Sequence, residues 1–330
     1  MKKRHLITLA LFAAIIPPLC WAADNLPADI DPAKATKDPD FSIQGEYSGM
    51  IGDDKAAAQI IALGNGEFEA VVCKGGLPGD GWDGEKPRDR LKAKKAEDGS
   101  VTFSHEEWTG VLKDGKITVT NSQYPDLSAT LPRVERESPT LGAKAPEGAT
   151  VLFDGTAETA EKHWEKPTLD GDLLCEGALS KDQFSDFTMH IEFLLPWKPT
   201  ARGQGRGNSG LYVTGRYEVQ MLDSFGLAGV DNECGGIYKV AEPKQNLCYP
   251  PLRWQTYDVD FTAAKFDAEG KKTANAKITV KLNGFAIHEN LEIPGLTGGA
   301  RLKDEVGPGP IFLQNHGNPV RYRNIWVVTK

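Results

Sequence analysis

The sequence predicts an all-β protein made of two successive β domains. Apolar residues recur with a period of two in short runs punctuated by Gly, Asn and Asp, and no run longer than about ten residues has helical spacing. Strands do not alternate with helices, which excludes a doubly wound or (β/α)-barrel enzyme. With 40% hydrophobic and 25% charged residues, the chain has globular composition and is neither disordered nor collagen-like.

The first element is a leader, residues 1–22. Lys2, Lys3 and Arg4 precede an apolar run, Leu6 to Leu19, that is short and broken by Pro17 and Pro18, so it reads as an export signal. The small residues Cys20 and Ala22 place the cut before Ala23. Leu19, where a small residue is expected, argues against lipid anchoring at Cys20. No later apolar run reaches eighteen residues, so the mature chain is expected to be periplasmic or extracellular with no transmembrane segment. Losing three basic leader residues takes the formal net charge from −8 to −11. That excludes a sequence-nonspecific nucleic-acid binder as a function class.

Residues 23–40, rich in Asp, Pro, Ala and Lys, predict a flexible lead-in. Residues 41–137 predict a small antiparallel β domain. Its strands are expected at Gln44–Met50, Ala57–Leu63, Phe68–Cys73, Val101–Ser104, Gly110–Leu112 and Lys116–Thr120, with turns at Asn65-Gly66 and Asp114-Gly115. The Gly-rich run from Gly75 to Gly84 is an ordered loop, with Trp82 as its one candidate contact. Residues 138–147, bounded by prolines, read as a linker. The second domain, 148–330, opens at Val151. In Phe187–Phe193, Phe187, Met189, Ile191 and Phe193 share one face, which is expected to be core. Lys277–Leu282, Asn283-Gly284 and Phe285–His288 spell a hairpin with a type I′ turn. Further strands are expected at Pro310–Asn315 and Tyr322–Val328. Among the four cysteines of the mature chain, Cys234 and Cys248 enclose 13 residues and predict a disulfide contributing about 3 kcal/mol. Cys73 and Cys175 are expected to be buried thiols.

Two strands of the second domain carry chemistry. In Arg216–Asp223, Tyr217, Val219 and Met221 face one side, leaving Glu218 and Gln220 on the other; in Ile311–His316, Gln314 and His316 oppose Ile311 and Leu313. The Gly-rich loop ending in Asn208-Ser209-Gly210 lies a few residues before Glu218 and lets backbone and the Asn208 amide approach a ligand. Asp223, Asp231 and Glu233 are weak candidates for a calcium site. No nucleophile elbow, zinc helix or Walker loop is present.

Residues from Val151 to Val328 resemble the 3-keto-disaccharide hydrolase family. The resemblance runs through Leu152-Phe153-Asp154-Gly155, Asn208-Ser209-Gly210-Leu211-Tyr212, Tyr217-Glu218-Val219-Gln220-Met221-Leu222-Asp223, Gly236-Ile237-Tyr238, Trp254-Gln255-Thr256-Tyr257-Asp258, Leu282-Asn283-Gly284, Leu313-Gln314-Asn315-His316-Gly317 and Arg323-Asn324-Ile325. It implies a concanavalin A-like jelly-roll sandwich and cleavage of glycosides whose C3 hydroxyl has become a ketone. Such a ketone acidifies the C2 hydrogen, so a base, a stabiliser for the enolate oxygen and a proton donor suffice, without the usual carboxylate pair. Glu218 and His316 are both candidates for the base. Asn208, Gln220 or a bound divalent cation such as calcium are candidates to polarise the ketone, and Asp223, Tyr238, Trp254 and Gln314 are candidate substrate contacts. The sequence requires no cofactor and leaves the oligomeric state open. The competing class is a carbohydrate-binding lectin-like protein, with Trp254, Tyr238 and Tyr212 as stacking platforms.

Overall fold

The computed structural model describes residues 28–82, 84 and 88–330, so the leader, the cut before Ala23 and part of the Gly-rich loop after Trp82 lie outside the described residues. Eight strands come first: β1 (Gly45–Ile51), β2 (Asp54–Gly64), β3 (Glu67–Lys74), β4 (Arg90–Lys94), β5 (Val101–His105), β6 (Trp108–Lys113), β7 (Lys116–Asn121) and β8 (Ala129–Val134). They pair in the order β4-β3-β2-β1-β8-β7-β6-β5, and a bridge between Lys95 and Val101 brings the two ends together. The predicted small β domain is thus an up-and-down barrel. The sequence reading missed β4, whose Leu91 and Ala93 alternate with Arg90, Lys92 and Lys94, and β8, which contains Pro132. Asp114 and Gly115 take the positive φ angles, 49° and 72°, that join β6 to β7 tightly.

Residues 28–40 are no tether, contrary to expectation. Asp31 caps a short helix, Pro32–Ala35, and Asp38 accepts a hydrogen bond from Trp197 Nε1 at 3.0 Å. Asp40, buried, accepts from Gly66 N and Lys95 Nζ. Acidic residues of this segment instead satisfy donors at one end of the barrel. That end is filled by Tyr47, Ile60, Phe68 and Leu112, with Trp197 of the second domain packed among them.

The second domain is a jelly-roll sandwich of two antiparallel sheets. Its smaller sheet runs Trp164–Glu165, Leu179–Phe184, Gly309–Leu313, Ser209–Val213, Tyr217–Met221. The larger sheet is centred on Phe187–Leu194, flanked by Arg321–Thr329 and Trp254–Thr262, and extended by the hairpin Ala276–Leu282 and Phe285–Ile293. Period-two alternation sends Phe187, Met189, Ile191 and Phe193 into one shared core with Leu211, Val213, Tyr217, Val219, Met221, Ile311 and Leu313. The longest helix among the described residues is Ala157–His163, and no helix there is long and apolar enough to cross a membrane.

The segment 138–147 is pinned rather than free. Ser138 Oγ lies 2.6 Å from Thr256 Oγ1, Thr140 Oγ1 donates to Asp258 Oδ2 at 2.8 Å, and Gly142 N donates to Glu192 Oε1. Beneath it, His190 stacks on Trp326 and its Nδ1 lies 2.6 Å from Asp258 Oδ1. Burial alone would lower the His190 pKa, but hydrogen bonds to Asp258 and Glu192 outweigh it and hold the imidazole above its usual value. Period two aimed these polar residues at the outer face, and the returning chain covers them.

Barrel and sandwich share further contacts. Arg206, buried, donates from Nε to Asp223 Oδ2 at 2.6 Å and from Nη1 to Ala62 O of the barrel. Ile61 and Val71 pack on Phe225, and Arg90 Nη1 reaches Gly226 O. Trp82 faces this wall too, buried with Ala57, Cys73 and Leu77 beneath the Arg88 guanidinium, so it is packing and not a ligand contact.

Candidate active site

The outward face of the smaller sheet gathers most of the predicted residues. Ser209–Val213 and Tyr217–Met221 form a hairpin in which Tyr212 lies opposite Glu218 and Gly210 opposite Gln220. Their core-facing neighbours fix the register, because a one-residue slip would turn Glu218 into the apolar core between the sheets and Val219 out of it. Gly210 is needed for room: a Cβ there would lie 2.2 Å from Glu218 Oε1. The next strand in the sheet, Gly309–Leu313, leads to Gln314, whose backbone N–H donates to Gly210 O at 2.9 Å.

Glu218 is buried, and desolvation raises its carboxyl to about 7, opposed only by the hydrogen bond from Tyr212. Tyr212 Oη sits 2.7 Å from both Glu218 Oε2 and Gly298 O, and accepts from Gln314 Nε2 at 3.2 Å. A phenol has one hydrogen. When Glu218 is ionised that hydrogen goes to the carboxylate; when Glu218 is protonated the carboxyl donates to Tyr212, whose hydrogen then turns to Gly298 O. Both states are satisfied by one hydroxyl rotation, so the group is built to gain and lose a proton near neutrality. Burial and the nearby Glu218 charge push the Tyr212 phenol itself far up, keeping it neutral.

Beside this group, Gln204 Oε1 accepts from Gln220 Nε2 at 3.0 Å and from Asn208 Nδ2 at 3.1 Å. Asn208 is 1% exposed, and among the described residues its buried Oδ1 has no hydrogen-bond partner. Tyr238, half-buried, borders the loop residue Gly298, where a Cβ would come within 3.3 Å of its ring. Thr297 Oγ1 accepts from Glu218 N at 2.8 Å, so the 297–299 loop closes over the carboxyl.

Several expectations are corrected. Trp254 lies on the outward face of the larger sheet, with the Arg323 guanidinium 3.9 Å over its ring, and cannot contribute to the Glu218 face. Asp223 is spent on Arg206. Asp231 and Glu233 do not join it: Glu233 Oε2 accepts from Gly229 N at 2.6 Å, and no cluster of three metal-ligating side chains occurs among the described residues. Cys234 and Cys248 are free, buried thiols in mutual contact; Cys234 Sγ also meets Tyr257 Oη at 3.4 Å. Closing the loop by spacing alone ignored that hydrogen bonding to Tyr257 and Leu222 O already satisfies both thiols. His316 is exposed beyond the end of its strand, and among the described residues its imidazole has no hydrogen-bond partner. Sequence reasoning missed the Tyr212 hydroxyl and Gln204. Treating Thr214-Gly215-Arg216 as a three-residue hairpin loop would have placed Tyr212 opposite Glu218.

The second domain is thus a jelly-roll sandwich with a buried carboxyl set among amide side chains on the outward face of its smaller sheet. The chain belongs to the 3-keto-alpha-glucoside-1,2-lyase-like domain family, whose model matches residues 148–328. It is similar to a solved structure of a candidate glycosyl hydrolase from Parabacteroides distasonis ATCC 8503, at 33% identity and TM-score 0.51, covering 56% of this chain and 85% of that one. A second structure from the same organism, with the same description, superposes at TM-score 0.42 and 16% identity over 56% of this chain and 94% of that one. No curated protein matches the chain.

Proposed function

We propose that this chain is an exported enzyme that cleaves 3-keto-glycosides or 3-keto-disaccharides by elimination across C2 and C1 followed by hydration. The observation that carries the reading is Glu218, a buried carboxyl brought to about 7 and provided with a proton-adjusting partner in Tyr212. A general base works best with a pKa near the working pH, and a C2 hydrogen beside a ketone is acidic enough for a carboxylate. Ionised Glu218 takes the C2 proton; the C2–H electrons form the enolate and the C1–O bond breaks. Gln220 is proposed to donate to the enolate oxygen, and the free Asn208 Oδ1 to accept from a sugar hydroxyl. His316, exposed at the rim beyond Gln314, is proposed to supply the proton to the leaving oxygen. Water then adds across the enone, giving net hydrolysis.

The test incubates purified protein with a 3-keto-disaccharide and with its unoxidised parent, with and without chelator, and follows the released keto sugar. Turnover of the keto sugar alone is expected. Equal cleavage of both would overturn the elimination, and binding without cleavage of either would favour the lectin-like class. Loss of turnover with chelator would assign the ketone-polarising role to a cation such as calcium.

A further inference from the structure

The barrel is only half filled. Strands β1 to β8 run alternately toward and away from the sandwich, and large side chains plug the sandwich end: Tyr47, Ile60, Phe68, Leu112 and Trp197. In the other half, β2 and β3 turn Ala56, Ala58 and Ala70 inward, and β6 turns Gly110 inward, where Leu, Ile or Phe would ordinarily close the interior of an eight-stranded barrel. The outcome is a cavity of about 800 Å³ with predominantly apolar walls, among them Leu91, Phe103 and Trp108. Ile51, Leu91 and Trp108 remain partly exposed, so the cavity opens to solvent at the end away from the sandwich. Water in such a cup lacks polar partners on the walls, whereas a hydrocarbon would replace it without penalty. Polar groups occur at the rim, where Asp54, Asp89 and Glu106 outnumber Lys55 and Lys74, with His105 beside them, and the Lys55 ammonium is already paired with Asp80 Oδ1 at 2.7 Å. Such a rim tolerates a neutral polar end and repels an anionic one.

We propose that the barrel is a binding cup for a largely hydrocarbon small molecule with an uncharged polar end, of the fatty-alcohol or monoacylglycerol type. The cup is separate from the Glu218 face and does not depend on the proposed chemistry there.

The experiment titrates the full mature chain with the neutral fluorophore N-phenyl-1-naphthylamine and competes it with 1-dodecanol and with dodecanoate. Saturable binding at one site per chain is expected, with dodecanol displacing the probe at concentrations at least about tenfold below dodecanoate. Ala58→Phe and, nearer the mouth, Ala56→Leu should each weaken the probe about tenfold or more, the second serving if the first fails to fold. Absence of saturable binding, or binding unchanged in a folded variant, would overturn the cup. Equal competition by dodecanoate would overturn the assignment of an uncharged head.

Discussion

Replacing Glu218 by Gln tests the electrostatics of the site without needing a substrate. The substitution keeps the volume and leaves an oxygen for Tyr212 to reach, but removes the titration. In the folded chain the carboxyl is held at about 7, against an ordinary 4.5. Between those values the folded state keeps a proton that the unfolded state has released, so stability falls as pH rises through this window and is fully present below it. For a group this buried the loss amounts to about 3 kcal/mol by pH 8. All other titrating groups are shared, so they cancel when variant and wild type are compared. Urea unfolding at pH 4.5 and pH 8 should therefore show Glu218→Gln gaining about 3 kcal/mol on the wild type between the two conditions, while turnover of a 3-keto-disaccharide falls about 100-fold or more. A stability difference that is the same at both pH values would refute the buried, raised carboxyl; full turnover would refute its use as the base.

Tyr212→Phe removes the only hydrogen bond that lowers the Glu218 pKa, so the rising limb of the pH–rate profile should move about one pH unit or more toward alkali, and an unmoved limb would separate the two residues. Gly210→Ala should displace the Glu218 carboxylate and cost turnover while the barrel and sandwich stay folded by circular dichroism, because the new methyl lies on the carboxylate oxygen. Asp223→Ala leaves the Arg206 guanidinium buried and unpaired at the junction, and should lower stability by about 3–5 kcal/mol in urea titration, with retention of wild-type stability the contrary result. Peptide mapping under non-reducing conditions should recover Cys234 and Cys248 as free thiols, unreactive to alkylation until the chain unfolds; a linked peptide would overturn that.

Local pattern alone determined which side of each strand faces the core. Tyr217, Val219 and Met221 had to turn inward together, and that forced Glu218 and Gln220 outward; the same logic placed Gln314 opposite Leu313. The Asn283-Gly284 turn was equally local, since both residues tolerate positive φ. What pattern could not decide was which outward faces meet solvent, which meet a ligand and which are covered by chain returning from elsewhere. Trp254 and Glu218 both face outward, yet on opposite sheets, and His190, Thr256 and Asp258 face outward only to be roofed by residues 138–143. The lead-in read as flexible, and Asp223 as a substrate or calcium contact, because their buried partners, Trp197 and Arg206, are distant in sequence or hidden in a Gly-rich loop. The Glu218 pKa is likewise a tertiary property: the residue type fixes 4.5, and burial beneath the 297–299 loop raises it to about 7 against the lowering hydrogen bond from Tyr212. Desolvation and long-range pairing depend on what packs in three dimensions, and a period of two along one strand carries no record of that.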